Sequence, residues 1–368
     1  MSDTAEPKSV EPLRSTHTST FPELLAHFGV SVLVTTYQAG RLVVLRADGG
    51  MLNTHFRMFQ KPMGMAVRAN RIAIGTEMEI GEFHNVPAVC KRLDPPEKHD
   101  ACFLPRSTHA TGDIDIHEMA WVGDELWFVN TRFSCLCTRS PEYSFQPRWR
   151  PKFVTQLTPE DRCHLNGLAI VPCENGVARP RYVTVLGETN EAGGWRQNKR
   201  DGGVLIDIEA DEVIARRLSM PHSPRWYRGQ LWLLHSGIGG LGTIDLRTGK
   251  YEEVIELPGF TRGLDFIGPF ALVGLSQVRD SAVFSGIPIA DRSERCCGVW
   301  VVNIETGQMV GYVKFEDALQ EIFAVQVLPQ ARFPDLVNDN HELLASSYVV
   351  PDDALRDVPE ELRARQKR

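Results

Sequence analysis

Six short apolar runs start 39 to 61 residues apart along this 368-residue chain, and each is followed by a second run rich in strand-forming residues. The first runs are MGMAV (63–67), HEMAW (117–121), NGLAI (166–170), SPRWY (223–227), RGLDF (262–266) and FAVQV (323–327). The second runs begin at Arg71, Glu125, Tyr182, Gln230, Phe270 and Glu342, and each has a hydroxyl residue at or beside its end: Thr76, Thr131, Thr189, Ser236, Ser276 and Ser347. Aliphatic, β-branched and aromatic residues in short runs suit a pleated sheet, and the repeat is near the length of a four-stranded unit. Six such units arranged in a ring would leave few open strand edges.

Outer hairpins follow the paired runs. TIDLRTGKYEEVIEL (243–257) and VWVVNIETGQMVGYV (299–313) place Thr-Gly between alternating strands, and GVLIDIEADEVIARRL (203–218) has the same shape. The sixth repeat shows only two strands, FAVQV and ELLASS, before the charged C-terminal end. Its missing outer pair is found in VSVLVTTYQ (30–38) and the run from Arg41 to Phe59. The expected fold is therefore all-β, a six-bladed β-propeller whose N-terminal strands close the last blade. Residues 1–20 read as a disordered segment, 21–350 as one propeller domain and 351–368 as a charged helical tail.

A net charge of -7 argues against a nucleic-acid partner, which needs a basic field. No run of eighteen apolar residues occurs and the first twenty residues lack a signal-peptide apolar stretch, so no membrane is expected and the chain reads as cytoplasmic. Eight cysteines without a CxxC pair or a disulfide spacing read as free thiols in that compartment.

In a four-stranded blade the start of the first strand and the end of the second lie on one face. That places His117, His164 and His222 together with Glu77, Asn130, Glu188 and His235, with Glu118 and Asn166 adjacent. The segments 78–113, 190–203 and 277–297 read as long loops on the same face, where loops on a rigid scaffold shape binding mouths. Three converging imidazoles are a donor set for zinc, iron or copper, so His117, His164 and His222 are the candidate metal ligands. His235 and Glu118 are the candidate acid or base. A calcium site built from Glu77, Glu118, Asn130, Asn166, Glu188 and Asp265 ranks second. Trp195, Arg196 and Arg200 lie in a glycine-flanked loop, and Arg262 and Arg279 lie near the same rim. Guanidinium groups can grip a carboxylate or phosphate, so these five are candidate substrate-binding residues. Histidines that only satisfy polar groups along the axis are the plain structural alternative.

PMGMAV, DIHEMAWVGDELWFVNTRFSCL, CHLNGLAIV, PHSPRWYRGQLWLLHSG and TRGLDFIG, in this order, resemble a bacterial family of conserved hypothetical proteins, an uncharacterised conserved domain. The resemblance spans roughly residues 20–350 and implies a propeller-like fold. It supplies no activity. More distantly the architecture resembles six-bladed gluconolactonase and strictosidine synthase propellers, some with axial calcium, and the peptide-amidating lyase with its His-bound zinc. Together these observations point to a metal-assisted enzyme, a lyase, hydrolase or oxygenase, acting on a small anionic or peptide-like substrate. The rival reading is a non-catalytic propeller that binds a peptide or a partner protein.

Overall fold

The computed structural model describes residues 14–68, 70–173, 176–278, 285–316 and 318–359. Six antiparallel sheets form the blades of a ring. The inner strands are Met65–Arg68, Ile116–Val122, Leu165–Pro172, Pro221–Tyr227, Phe260–Ile267 and Ala324–Leu328; they define blades 1 to 6. Each begins within two residues of the start of the corresponding run, because the hydrophobic pattern that buries one sheet face also fixes which residues pair. The expected outer hairpins are present in blades 3, 4 and 5, at 203–218, 240–256 and 297–315.

The closure joins both ends of the chain, but in a different ratio. Ala324–Leu328 pairs with Ser31–Thr36, which is followed outward by Arg41–Asp48 and Met51–Met58. Blade 6 thus takes three strands from the N-terminal region and a single strand from the C-terminal region. ELLASS is no strand: His341–Ala345 is a helix whose first turn is capped by Asn340, which accepts the Leu343 N–H at 2.9 Å. The side-chain cap and the good helix formers Glu, Leu and Ala outweigh the strand reading.

Two blades carry a fifth strand. Ser15–His17 pairs antiparallel with the outer strand of blade 5, and Pro334–Leu336 lies parallel to Ala101–Ala110 on blade 1. The N-terminal segment read as disordered therefore includes a strand at 15–17, while residues 1–13 lie outside the described residues. In the tail, 352–355 forms a single 3-10 turn and 360–368 lie outside the described residues. No helix among the described residues is long and apolar enough to cross a membrane.

The recurring hydroxyl at the second-strand end joins neighbouring blades. Thr35, Thr131 and Ser276 each donate to a carbonyl at the start of the next inner strand, those of Met63, Leu165 and Ile322, at 2.6, 2.6 and 3.1 Å. Thr35, not Ser347, fills this position in blade 6. Between blades, apolar faces interlock, as where Tyr227 stacks on Phe266 with ring centroids 4.4 Å apart. Gly167 sits where blade 4 closes on blade 3, and a Cβ there would overlap Thr184 Oγ1 and Pro224 Cδ.

Candidate functional site

A cavity of about 430 Å³ opens on the face where inner strands begin, lined by His117, His164 and His222. Its size falls within the range of small-molecule sites. His117 and His222 occupy equivalent places, the second residue of their inner strands. His164 does not. It lies one residue before its strand, and the residue equivalent to the other two is Asn166.

The local backbone explains how the imidazoles are held. Asp115 and Met220, each just before an inner strand, adopt left-handed φ values of 52° and 46°. Such a conformation costs about 1–2 kcal/mol for a non-glycine residue. The carbonyl of Asp115 lies 3.0 Å from His117 Nδ1, and that of Met220 2.9 Å from His222 Nδ1. A carbonyl only accepts, so both Nδ1 atoms carry the proton. The recurring hydroxyls complete the clamp: Thr131 Oγ1 is 2.8 Å from His117 Nδ1 and Ser236 Oγ 3.1 Å from His222 Nδ1. His164, itself left-handed at φ 51°, places Nδ1 3.0 Å from both oxygens of Asp161.

All three rings thus carry a proton on Nδ1. The Nε2 atoms have no hydrogen-bond partner among the described residues, and none is sealed away as a buried orphan. Burial pushes the pKa of His117 and of His222 well below the ordinary histidine value, with the nearby charge of Arg262 acting in the same direction. Both are neutral lone-pair donors at pH 7.

Asp161 organises one wall. Besides His164 it accepts from Trp195 Nε1 at 2.8 Å and pairs with Arg196 at 3.3 Å. Trp195 packs on the His164 ring at a centroid distance of 4.4 Å, and the Arg196 guanidinium lies 4.4 Å from the centre of the indole. The 3-10 turn Gly194–Asn198 carries both residues, so this loop does reach the cavity. Across the mouth, Arg262 lies 3.6 Å from the Phe323 ring centre and 3.4 Å from Glu321 Oε1, while Lys61 pairs with Asp115 at 2.8 Å.

Other candidates stand elsewhere. Glu118 does not line this cavity; it forms a two-pronged ion pair with Arg225 at 2.9 and 3.0 Å. His235 is also absent from the cavity wall, because its Nε2 accepts the Ser219 N–H at 2.7 Å. Arg200 is exposed and away from the cavity, and Arg279 lies outside the described residues.

The oxygen set considered for calcium is dispersed and none of it lines the cavity. Glu77 binds Gln60, Glu188 binds Arg216, and Asn166 bridges Pro221 O and Thr184. Asn130 accepts the Phe133 N–H, and Asp265 accepts the N–H groups of Phe266 and Val327. The segment 78–113 is not a mouth loop either: it contains the third and fourth strands of blade 1, joined by a loop at the opposite face.

Asp115, Asp161, Met220, Glu321 and Phe323 line the cavity without being among the candidate site residues of the sequence. Asp161 alone left a local signal, the Asp-x-x-His spacing to His164.

A transition metal can be tested against this donor set. Neutral imidazoles whose Nδ1–H is held by a carbonyl or carboxylate are the usual arrangement around such ions. The His117 and His164 rings meet edge to face, with centroids 4.7 Å apart. Among the described residues no group of three or more His, Cys, Asp or Glu side chains is arranged to hold an ion as it stands. The donor chemistry fits such an ion, while the rings as they stand form no ready-made site.

Among solved structures, the chain is similar to one from a nidogen/laminin complex, at 10% identity and a TM-score of 0.52, covering 82% of this chain and 99% of that one. It is also similar to a protein of unknown function from Bacteroides caccae, at 8% identity and a TM-score of 0.50, covering 81% and 98%. These likenesses concern the fold alone. The search of curated proteins gave no match. Residues 19–337 match the family model described as Domain of unknown function (DUF4915), which takes in the whole ring, and the chain belongs to that family.

Proposed function

We propose that the axial cavity is a transition-metal-assisted active site for a small anionic molecule, with His117, His164 and His222 as ligands to zinc, iron or copper. The observation that carries this reading is the shared state of the three rings: each commits its Nδ1 proton to a protein acceptor and leaves Nε2 without one. Bound there, such an ion supplies Lewis acidity and a water of lowered pKa. The protein's role is orientation. Asp115 O, Asp161 and Met220 O fix the tautomers, Trp195 and Phe260 exclude water, and Arg196 and Arg262 present positive charge to the substrate.

A small molecule or the end of a peptide suits the site better than a folded partner, because His117 and His222 are only 8% and 4% exposed. Buried free thiols accord with a cytoplasmic location. The test is metal analysis of purified protein followed by calorimetric titration of the chelated protein with zinc, iron(II) and copper. Stoichiometric binding, weakened at least about tenfold by His117→Ala or His164→Ala, is expected. Absence of binding for every ion, or equal binding by the variants, would overturn the metal reading.

A further inference from the structure

We infer that Arg262 is the carboxylate receptor of this cavity and that its substrate is a small monocarboxylic acid with an apolar body. The inference rests on the small-molecule reading of the axial site and names the substrate class. A guanidinium has five N–H donors. Arg262 is nearly nine-tenths buried, with its side chain 11% exposed, yet its one hydrogen bond among the described residues is a 3.4 Å contact to Glu321 Oε1. Charge-assisted bonds of this type are normally about 2.7–2.9 Å, so the pair is loose. A buried cation left with most of its donors unused and lining a cavity is set to receive an acceptor from it.

Geometry and charge narrow the acceptor. Phe323 lies 3.6 Å from the guanidinium carbon and backs one face of the group. A ligand must therefore meet the guanidinium on its remaining edge, where the two-oxygen fork of a carboxylate matches paired N–H groups. The charged residues of the wall balance: Lys61, Arg196 and Arg262 face Asp115, Asp161 and Glu321, and the pairs stand at 2.8, 3.3 and 3.4 Å. In the metal-free protein this balanced wall offers no surplus of positive charge for a dianionic phosphate; one carboxylate meets one under-used guanidinium. Trp195, Phe260, Phe323 and Leu186 give the lining an apolar part that accommodates a hydrocarbon or aromatic body.

Benzoate, phenylacetate and isovalerate, each beside its amide, and phenyl phosphate serve as probes, titrated by calorimetry into full-length chelated protein. The carboxylates should bind at millimolar concentration or tighter, and the amides at least about tenfold more weakly. Arg262→Gln should weaken the carboxylates by at least about tenfold, and Arg262→Lys by less. A zinc titration and a melting curve on each variant report the fold and the metal site separately. No binding by any carboxylate, amides equal to their acids, phenyl phosphate tighter than benzoate, or an unchanged affinity in Arg262→Gln would each overturn the inference. No binding of zinc, iron(II) or copper by the parent protein, with carboxylate binding intact, would overturn only the metal reading.

Discussion

Glu118 and Arg225 join blade 2 to blade 4, past blade 3, and their removal one at a time should be among the costliest side-chain changes in the ring. Both oxygens of Glu118 accept from Arg225, at 2.9 and 3.0 Å, with side chains 5% and 17% exposed. Glu118→Gln keeps the shape and removes the charge, which strands the guanidinium beside the Leu168 and Pro224 carbonyls. Breaking a buried pair by neutralising one partner costs about 3–5 kcal/mol. The unfolding entropy of roughly 320 ring residues converts that to a fall of about 5–7 °C in Tm. Replacing both, as Glu118→Leu with Arg225→Met, should recover most of the loss, since two well-packed apolar groups remove both desolvation penalties. Calorimetric melting of the two single variants and the double variant is the assay. A single-variant loss below about 1 kcal/mol, or a double variant as unstable as the sum of the singles, would refute the view that this pair is a buried electrostatic tie.

Acid should destabilise the ring through histidines that fold in the neutral form. Burial lowers the His235 pKa to about 4, below the ordinary 6.5. The folded state therefore refuses a proton that the unfolded state takes up, and this contribution is complete above pH 6.5 and lost as pH falls toward 4. The loss amounts to up to about 3 kcal/mol, with His117 and His222 acting in the same direction. Unfolding free energies at pH 7, 6 and 5 should fall less steeply in His235→Gln than in the parent; equal slopes would remove His235 from the account. Thr131→Val deletes an acceptor for His117 Nδ1 and the donor to Leu165 O, which should cost about 1–3 kcal/mol in denaturant unfolding. Zinc affinity should drop about tenfold in the same variant. Gly167→Ala forces a methyl against Thr184 and Pro224; overpacking of this kind costs about 1–3 kcal/mol, visible as a lowered Tm.

The difference between what the sequence revealed and what it hid follows from the range of each interaction. Strand runs and the hydroxyl residues at their ends are periodic, and periodicity reports register, so six inner strands and the closing role of the N-terminal strands could be read directly. The same alignment brought His117, His164, His222, Trp195, Arg196 and Arg262 to one face, and all six line one cavity. It erred where two local patterns compete. ELLASS has a strand's hydrophobicity but follows an asparagine that caps a helix, and the place assigned to it in blade 6 belongs to Ser31–Thr36. It also could not distinguish an acid in the site from one beside it. Glu118 is adjacent in sequence to His117, but strand alternation turns neighbouring side chains to opposite directions, and its partner Arg225 is 107 residues away. Left-handed residues at strand starts carry no fixed residue type when they are Asp115 or Met220, so the carbonyls that set the two tautomers were invisible. A propeller sequence therefore discloses which residues share a rim, while the proton positions that decide their chemistry depend on backbone carbonyls and on partners from other blades.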